Sequence, residues 1–303
     1  MSQRLAIFAV LLLSGLFIAA DKPPATKVVV LGIAQDGGIP QIGCTQEICK
    51  TQHHFVSSLA ILAANSSAFL IDATPDLKYQ YTELATRYPQ YQKHSLFDGI
   101  LLTHAHMGHY TGLMYLGKES ISTHETPVYA SQEMAAFLKQ NAPWSLLITN
   151  GNILLQPFRA NQEIHLEGVS ITPVPVPHRH EFTDTHGFLI RGASKSLLYI
   201  PDIDSWEPAR DVIERYLRQA DYALLDGTFF SGDELPGRNM KLVPHPTIQD
   251  SIRFLQSLQH LSTKIYFTHL NHTNPALLPD SYASKELTKA GYAIVAEWQE
   301  FEL

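Results

Sequence analysis

Along most of the chain, short apolar runs rich in Val, Ile and Leu alternate with longer stretches of mixed character. The short runs predict strands and the amphipathic stretches predict helices. Lys27–Ile33 reads as a buried strand, and Ser57–Ala64 and Ala68–Ala73 as two strands joined by the turn Asn65-Ser66-Ser67. Thr74-Pro75 opens a helical stretch that reaches about Tyr88. Asp98–Thr103 is the next strand. Further on, Pro127–Ala130, Ile153–Pro157, Glu163–Leu166, Val169–Val176, His186–Arg191, Ser196–Ile200, Tyr222–Leu225 and Lys264–Thr268 predict strands. Gln132–Gln140, Glu207–Leu217 and Thr247–Leu258 predict helices, and Ala293–Leu303 a closing strand. Valine and proline alternate in Val174–Pro177, which places that stretch at an edge or end. There is no repeat, low-complexity tract or linker, so one domain over residues 21–303 is the economical reading.

The polar residues that close the strands change the picture. The segment LLTHAHMGHYTG, Leu101–Gly112, ends an apolar run at Thr103 and then places His104, His106 and His109 close together. Residues two apart on an extended backbone point the same way, and a helix starting near Gly108 would turn His109 back towards them. Imidazole is the commonest neutral ligand for zinc, iron or manganese. Packing alone does not explain three imidazoles at one strand end. Four further strands finish on Asp72, His178, Asp202 and His269. In α/β folds such strand ends build the site.

Composition narrows the class. The chain has 303 residues, 45% hydrophobic and 17% charged, as in ordinary globular proteins. Its formal net charge of −7 argues against nucleic acid as a partner and leaves a small-molecule substrate. Met1–Arg4 carries one positive side chain, Leu5–Ala20 is uncharged, and Asp21-Lys22-Pro23-Pro24 breaks the run. This is the pattern of an export signal over residues 1–20, with cleavage near Ala20. Ile18 is large for the position three before that cut, which keeps an uncleaved N-terminal anchor as the alternative. The expected location is periplasmic or secreted. No later stretch is apolar enough to span a membrane.

Two features near the N-terminus stay open at this level. The strand Lys27–Ile33 runs into Ala34-Gln35-Asp36-Gly37-Gly38-Ile39-Pro40, a glycine-rich turn without the spacing of a dinucleotide fingerprint. It either lets backbone approach a ligand closely or is a plain loop. Cys44 and Cys49 are the only cysteines. In an exported protein they read as a disulfide, or as half of a small structural zinc site with His53 and His54 as local candidates.

Taken together, the residues resemble the metallo-β-lactamase superfamily. Its pattern is an aspartate after an early strand, then H-x-H-x-D-H, then a histidine, an aspartate and a final histidine at strand ends. Asp72, His104-Ala105-His106-Met107-Gly108-His109, His178, Asp202 and His269 fall in that order. The resemblance implies a four-layer αβ/βα sandwich with a metal site at the sheet edges. The opening LGIAQDGGIPQIGC resembles the branch of the coenzyme PQQ synthesis B proteins. VPHRHEFTDTHGFLI, LLYIPD, LLDGT and YFTHLNH resemble the cyclic phosphodiesterases of phosphonate metabolism and, more loosely, the tRNA 3′-processing ribonucleases.

The resemblance also assigns roles. His104, His106 and His178 with Asp202 would hold a first metal, and His109, His269 and a bridging Asp202 a second. Asp72 would stand behind the ligands and hold a ligand histidine or a loop. His245, which precedes a helix, would act on the scissile bond. Asp202 and His109 are the further candidate catalytic groups. Cys44, Cys49 and His272 become candidate ligands of a structural zinc, which that resemblance favours over the disulfide. The chain departs from the pattern at Gly108, where the family has a carboxylate. That departure predicts a second metal that is weak, absent or of another kind.

The expected function is a metal-dependent hydrolase that cleaves a phosphodiester, ester or lactone with metal-activated water. The expected cofactor is Zn2+, one or two ions, with Mn2+ or Fe2+ as alternatives. The rival readings are an iron-dependent oxygenase or PQQ-biosynthesis-related protein, and a metal- or ligand-binding protein without catalysis. His180 and His186 rank below the other histidines, and the loops Tyr115–Thr126 and Phe229–Met240 are expected to shape the pocket.

Overall fold

The computed structural model describes residues 25–93, 95–235, 237–239 and 243–303. The export signal expected at 1–20 lies outside these residues. Among the described residues fourteen strands form two sheets of seven. The first sheet contains β1 (Lys27–Gly32), β2 (Ser58–Leu62), β3 (Ala68–Ile71), β4 (Gly99–Leu101), β5 (Thr126–Ser131) and β6 (Ile153–Phe158). The second contains β7 (Ile164–Leu166), β8 (Val169–Val176), β9 (Thr185–Arg191), β10 (Ser196–Ile200), β11 (Tyr222–Asp226), β12 (Lys264–Thr268) and β13 (Ala293–Ile294). The last strand, β14 (Glu300–Glu302), returns to the first sheet beside β1. Strand orders are β14-β1-β2-β3-β4-β5-β6 and β13-β12-β11-β10-β9-β8-β7.

Three apolar clusters define four layers. The central one joins the facing sides of both sheets, with Val28, Ile61, Ile71, Phe188, Ile190 and Tyr199 among its buried members. A second lies between the first sheet and the helices Leu77–Arg87, Gln132–Gln140 and Trp144–Thr149. A third lies between the other sheet and the helices Arg210–Leu217, Ile248–Ser257 and Tyr282–Lys289. The order is therefore helix, sheet, sheet, helix. Strands covered on both faces carry near-continuous apolar runs, which is why VVVL in β1 is fully buried.

Topology then collects the strand ends. β3 and β4 pair in parallel, and so do β10, β11 and β12. β1 runs antiparallel to β2, which runs antiparallel to β3, so β1 and β3 point the same way. The same reasoning through β9 aligns β8 with β10. The carboxyl ends of these strands thus lie along one edge of the sandwich, where α/β folds place their ligands.

The predicted elements are mostly present, with one correction. Ala293–Leu303 is not a single closing strand: β13 extends the second sheet and β14 the first. Between them Trp298 turns the chain with φ of 64°, and its N–H donates to the Val30 carbonyl at 2.7 Å. The apolar residues Val295 and Phe301 are buried in the central core, so the segment bridges the sheets. The expected edge position of the valine–proline stretch is observed. β7 pairs with β8 only from Val169 to Ile171, leaving Pro173 and Pro175 beyond its reach, where a missing N–H costs nothing.

Candidate metal centre

The described residues bring His104, His106, His178 and Asp202 into one group of potential ligands. His104 follows β4, His178 follows β8 and Asp202 follows β10. His104 Nε2 lies 2.8 Å from His106 Nδ1, and His178 Nε2 lies 3.1 Å from the same atom. Asp202 stands 3.4 Å from His104 Nε2 and 3.3 Å from His178 Nε2. Tetrahedral zinc with bonds of about 2.0–2.1 Å sets neighbouring ligand atoms roughly 3.3 Å apart, so this donor set fits such an ion.

His104 and His106 are hydrogen-bonded from behind, and His178 has a carboxylate beside its outer nitrogen. Thr103 Oγ1 meets His104 Nδ1 at 3.0 Å, Glu181 Oε2 meets His106 Nε2 at 2.8 Å, and Asp204 Oδ1 lies 2.8 Å from His178 Nδ1. Such contacts fix the ring orientation and leave the opposite nitrogen with its lone pair facing the group. Burial lowers the pKa of His104 well below its ordinary value, helped by neighbouring imidazoles, and it lowers His106 and His178 as well. Neutral imidazole is the form that binds a metal.

A second group contains Asp36, His109 and His269. His109 Nε2 is 3.1 Å from Asp202 Oδ2 and 3.4 Å from Asp36 Oδ1. His269 Nε2 is 3.5 Å from Asp202 Oδ2 and 3.8 Å from Asp36 Oδ1. Asp202 therefore stands between the two groups. Asp36 Oδ1, His109 Nε2 and His269 Nε2 are buried and have no hydrogen-bond partner within the protein. Unpaired buried polar atoms are costly, and a shared cation would satisfy all three. Burial disfavours a charge on His109, yet Asp72, Asp202 and Asp36 together raise its pKa well above normal. Burial likewise acts against ionised Asp202, but His269, His178 and His245 hold its pKa well below the usual range. The site favours positive charge.

These contacts change the premise drawn from Gly108, that the second group lacks a carboxylate of its own. The second group does not lack its own carboxylate, because Asp36 supplies one from the glycine-rich loop after β1. Asp36 was read only as part of a turn. The available signal was an aspartate a few residues after an apolar strand, a looser form of the mark that picked out Asp72 and Asp202.

Two aspartates brace the site from opposite sheets. Asp72 follows β3 with φ of 64°. Its carboxylate accepts from Thr103 N at 2.9 Å, from Thr103 Oγ1 at 3.0 Å and from His109 Nδ1 at 2.7 Å. Asp226, at the end of β11, accepts from Thr228 Oγ1 at 2.7 Å and lies 2.8 Å from His245 Nδ1. Thr228 Oγ1 in turn meets His269 Nδ1 at 3.0 Å. Sequence reasoning places a strand at Tyr222–Leu225 and gives the aspartate that follows it no role. His269 itself has φ of 61°, in the left-handed region that side chains rarely adopt. Strained residues of this kind cluster at functional sites.

His245 differs from the ligand histidines. Its Nδ1 is committed to Asp226, with Thr228 Oγ1 at 3.2 Å and Asp202 Oδ1 at 3.3 Å. Burial works against its charged form, but Asp226 and Asp202 raise its pKa to about 9. The segment is held where Ile248 N donates to the Phe229 carbonyl at 2.7 Å, and Thr247 and Asp250 cap the following helix. His245 lines a cleft of about 620 Å3 with Gln35, Arg179, Arg238, Asn271 and His272, several of them chain neighbours of the ligand residues. Phe229, Glu234 and Leu235 line the same cleft, as expected of that loop; Met240 lies outside the described residues. The loop Tyr115–Thr126 does not line it. Tyr115, Gly117 and Ser120 border a separate cavity of about 440 Å3 with Trp144 and Leu147.

The structural zinc site is also corrected. Cys44 and Cys49 form a disulfide, and bonded sulfurs are not thiolate ligands. Among the described residues no potential metal group contains Cys44, Cys49 or His272. His272 Nδ1 instead meets Asn271 Oδ1 at 2.7 Å. His180 pairs with Glu133 on the surface at 2.6 Å, and His186 is buried against the Phe158 ring. Neither joins a ligand group.

The αβ/βα sandwich with histidines and aspartates along one sheet edge is the metallo-β-lactamase fold. A family model described as the beta-lactamase superfamily domain matches residues 67–270, and the chain belongs to that superfamily. It is similar to coenzyme PQQ synthesis protein B of Methylobacterium radiotolerans, 27% identical over 299 residues, covering 88% of this chain and 97% of that protein. The protein of the same name from Rhodopseudomonas palustris is 28% identical over 316 residues, covering 91% and 99%. Among solved structures, zinc-bound PqqB from Methylobacterium extorquens superposes with a TM-score of 0.77 at 23% identity, covering 91% of this chain and 100% of that one. A diphosphatase from the PhnP family gives 0.67 at 24% identity, covering 92% and 98%.

Proposed function

We propose that the protein is a zinc-dependent hydrolase of a phosphodiester. The observation that carries this reading is the cationic cleft beside the ligand groups. Arg179 follows directly on His178 and lines the cleft; Nη1 lies 3.6 Å from Glu181 Oε1, Nη2 lies 3.5 Å from His106 Nδ1, and the buried Nε has no hydrogen-bond partner within the protein. Arg238 lines the same cleft. A guanidinium with unused donors suits a phosphate, whose oxygens accept two parallel hydrogen bonds. An uncharged ester or lactone leaves that demand unmet.

Zinc held by His104, His106, His178 and Asp202, with a partner ion at His109, His269 and Asp202, would supply a Lewis acid and a water activated at neutral pH. The remaining steps fall to the chain's own groups. Arg179 binds and orients the phosphate. His245, anchored at Nδ1 by Asp226, offers Nε2 to protonate the departing oxygen. Asp72 and Asp226 keep the ring nitrogens aimed. The export pattern at residues 1–20 and the Cys44–Cys49 disulfide support a reaction outside the cytoplasm, since disulfides persist in oxidising compartments.

The test uses zinc-loaded protein with bis(p-nitrophenyl) phosphate, p-nitrophenyl acetate and a simple lactone. The expected result is chelator-sensitive turnover of the phosphodiester above the other two, abolished in His106→Ala. Absence of phosphodiester turnover with both groups loaded would overturn the reading. The similarity to coenzyme PQQ synthesis protein B over nearly its whole length favours one rival, a role in quinone cofactor metabolism; the rival expected from the sequence carries iron as its metal. Purification with bound iron and consumption of oxygen would support that rival.

A further inference from the structure

Position 108 and Asp36 occupy the same space. A Cβ built on Gly108 would lie 2.1 Å from Asp36 Oδ1, 2.7 Å from its Cα and 2.8 Å from its Cγ. Those separations are below any real contact, so no side chain fits at 108 while Asp36 stays where it is. The Asp36 carboxylate therefore sits in the volume that a carboxylate at 108 would claim, beside His109 and His269.

The loop that carries Asp36 is tied down on both sides. Gln35 N donates to the Leu270 carbonyl at 2.9 Å, next to His269, and Ser57 N donates to the Ala34 carbonyl at 2.8 Å. Gly38, with φ of 66°, closes the turn through a 2.8 Å bond to the Gln35 carbonyl. Ile39 and His54 then exchange backbone bonds at 3.0 and 2.8 Å. Asp36 is thus positioned by main chain just before β2, just after β12 and within its own turn. It also lies outside residues 67–270, the span that matches the family model and holds every other ligand candidate.

We propose that Asp36 and Gly108 are an exchange pair: Asp36 is the carboxylate ligand of the second metal, in place of a residue at 108, and glycine at 108 is the condition for its entry. The second group then has His109, His269, Asp36 and the shared Asp202, a complete set of nitrogen and oxygen donors for zinc. This inference rests on the metal-dependent reading above.

Metal-stripped protein is reloaded with zinc, and stoichiometry and affinity are read by elemental analysis and chelator competition. Wild type is expected to hold two equivalents. Asp36→Ala keeps the first with unchanged affinity and loses the second by ~100-fold or more, since even outer contacts to a ligand change affinity about 10–100-fold. Asp36→Asn, which preserves shape, shows a loss in the same direction and guards against misfolding in the alanine variant. Gly108→Asp alone also loses the second equivalent, because its side chain collides with Asp36. The double variant Asp36→Gly/Gly108→Asp regains it. Two full-affinity equivalents in both Asp36 variants would overturn the inference and leave the metal-dependent reading standing, as would a double variant no better than Gly108→Asp. Wild type that binds no zinc, iron or manganese would overturn the metal-dependent reading itself.

Discussion

Removal of the Asp72 carboxylate tests how the first sheet holds the site. Asp72 is fully buried and accepts hydrogen bonds from the Thr103 N–H, the Thr103 hydroxyl and the His109 ring. In Asp72→Ala the hydroxyl can turn elsewhere, but the Thr103 N–H and the His109 Nδ1–H are left buried without a partner. Each such group costs about 1–3 kcal/mol. The left-handed backbone at Asp72 adds about 1 kcal/mol, because alanine tolerates it less well than aspartate. The expected loss is about 3–7 kcal/mol, a large part of the roughly 5–15 kcal/mol that holds a domain folded. Asp72→Asn separates stability from aim. Its amide oxygen can still serve Thr103, while its N–H faces the His109 N–H and forces the ring into the other tautomer. That variant is expected to lose far less stability and to bind zinc about 10–100-fold more weakly. Urea unfolding followed by far-UV circular dichroism gives the first quantity, and zinc competition the second. An alanine variant within ~1 kcal/mol of wild type, or an asparagine variant with wild-type zinc affinity, would refute the reasoning.

Other perturbations probe separate parts of the fold. Replacing Cys44 and Cys49 by serine opens a short loop and should lower stability by about 2 kcal/mol while leaving the zinc stoichiometry unchanged; loss of one zinc equivalent would restore the structural-zinc reading. Gly112→Ala drives a Cβ to 2.1 Å from the Thr74 carbonyl oxygen, so thermal unfolding should reveal a loss of about 1–3 kcal/mol or more; an unchanged midpoint would show that the turn after His109 can move freely. Arg179→Ala should raise KM for a phosphodiester at least about tenfold, with little rescue by Arg179→Lys because a point ammonium lacks the planar fork; equal kinetics in all three proteins would remove Arg179 from substrate binding.

Much of the site was legible in the chain because its ligands follow their strands at once. His104, His178, Asp202 and His269 each come just after an apolar run, and the parallel arrangement of those runs brings their ends to one edge. Local pattern therefore determined the strands, their order of appearance and the ligand residues they deliver. The helices on the outer faces were legible only where their apolar stripe was long. Trp144–Thr149 and Tyr282–Lys289 are short, partly exposed and were not anticipated.

What the tertiary structure alone decided concerns partners that the local pattern does not record. Cys44 and Cys49 carried two chemistries with equal local logic, and only the position of their sulfurs selects the disulfide. Val295 and Phe301 looked like one strand, but each belongs to a bridge between two sheets. Gly108 looked like a missing carboxylate because a linear motif records only what stands at its own positions. The charge is present all the same, carried in by the loop after β1 and held there by backbone bonds to Ile39, His54, Ser57 and Leu270. Periodicity and strand-end chemistry are written in neighbouring residues, so the sequence by itself determined the layers and most ligands. Whether two distant loops share one volume depends on how the sheets pack, and only the folded chain decides that.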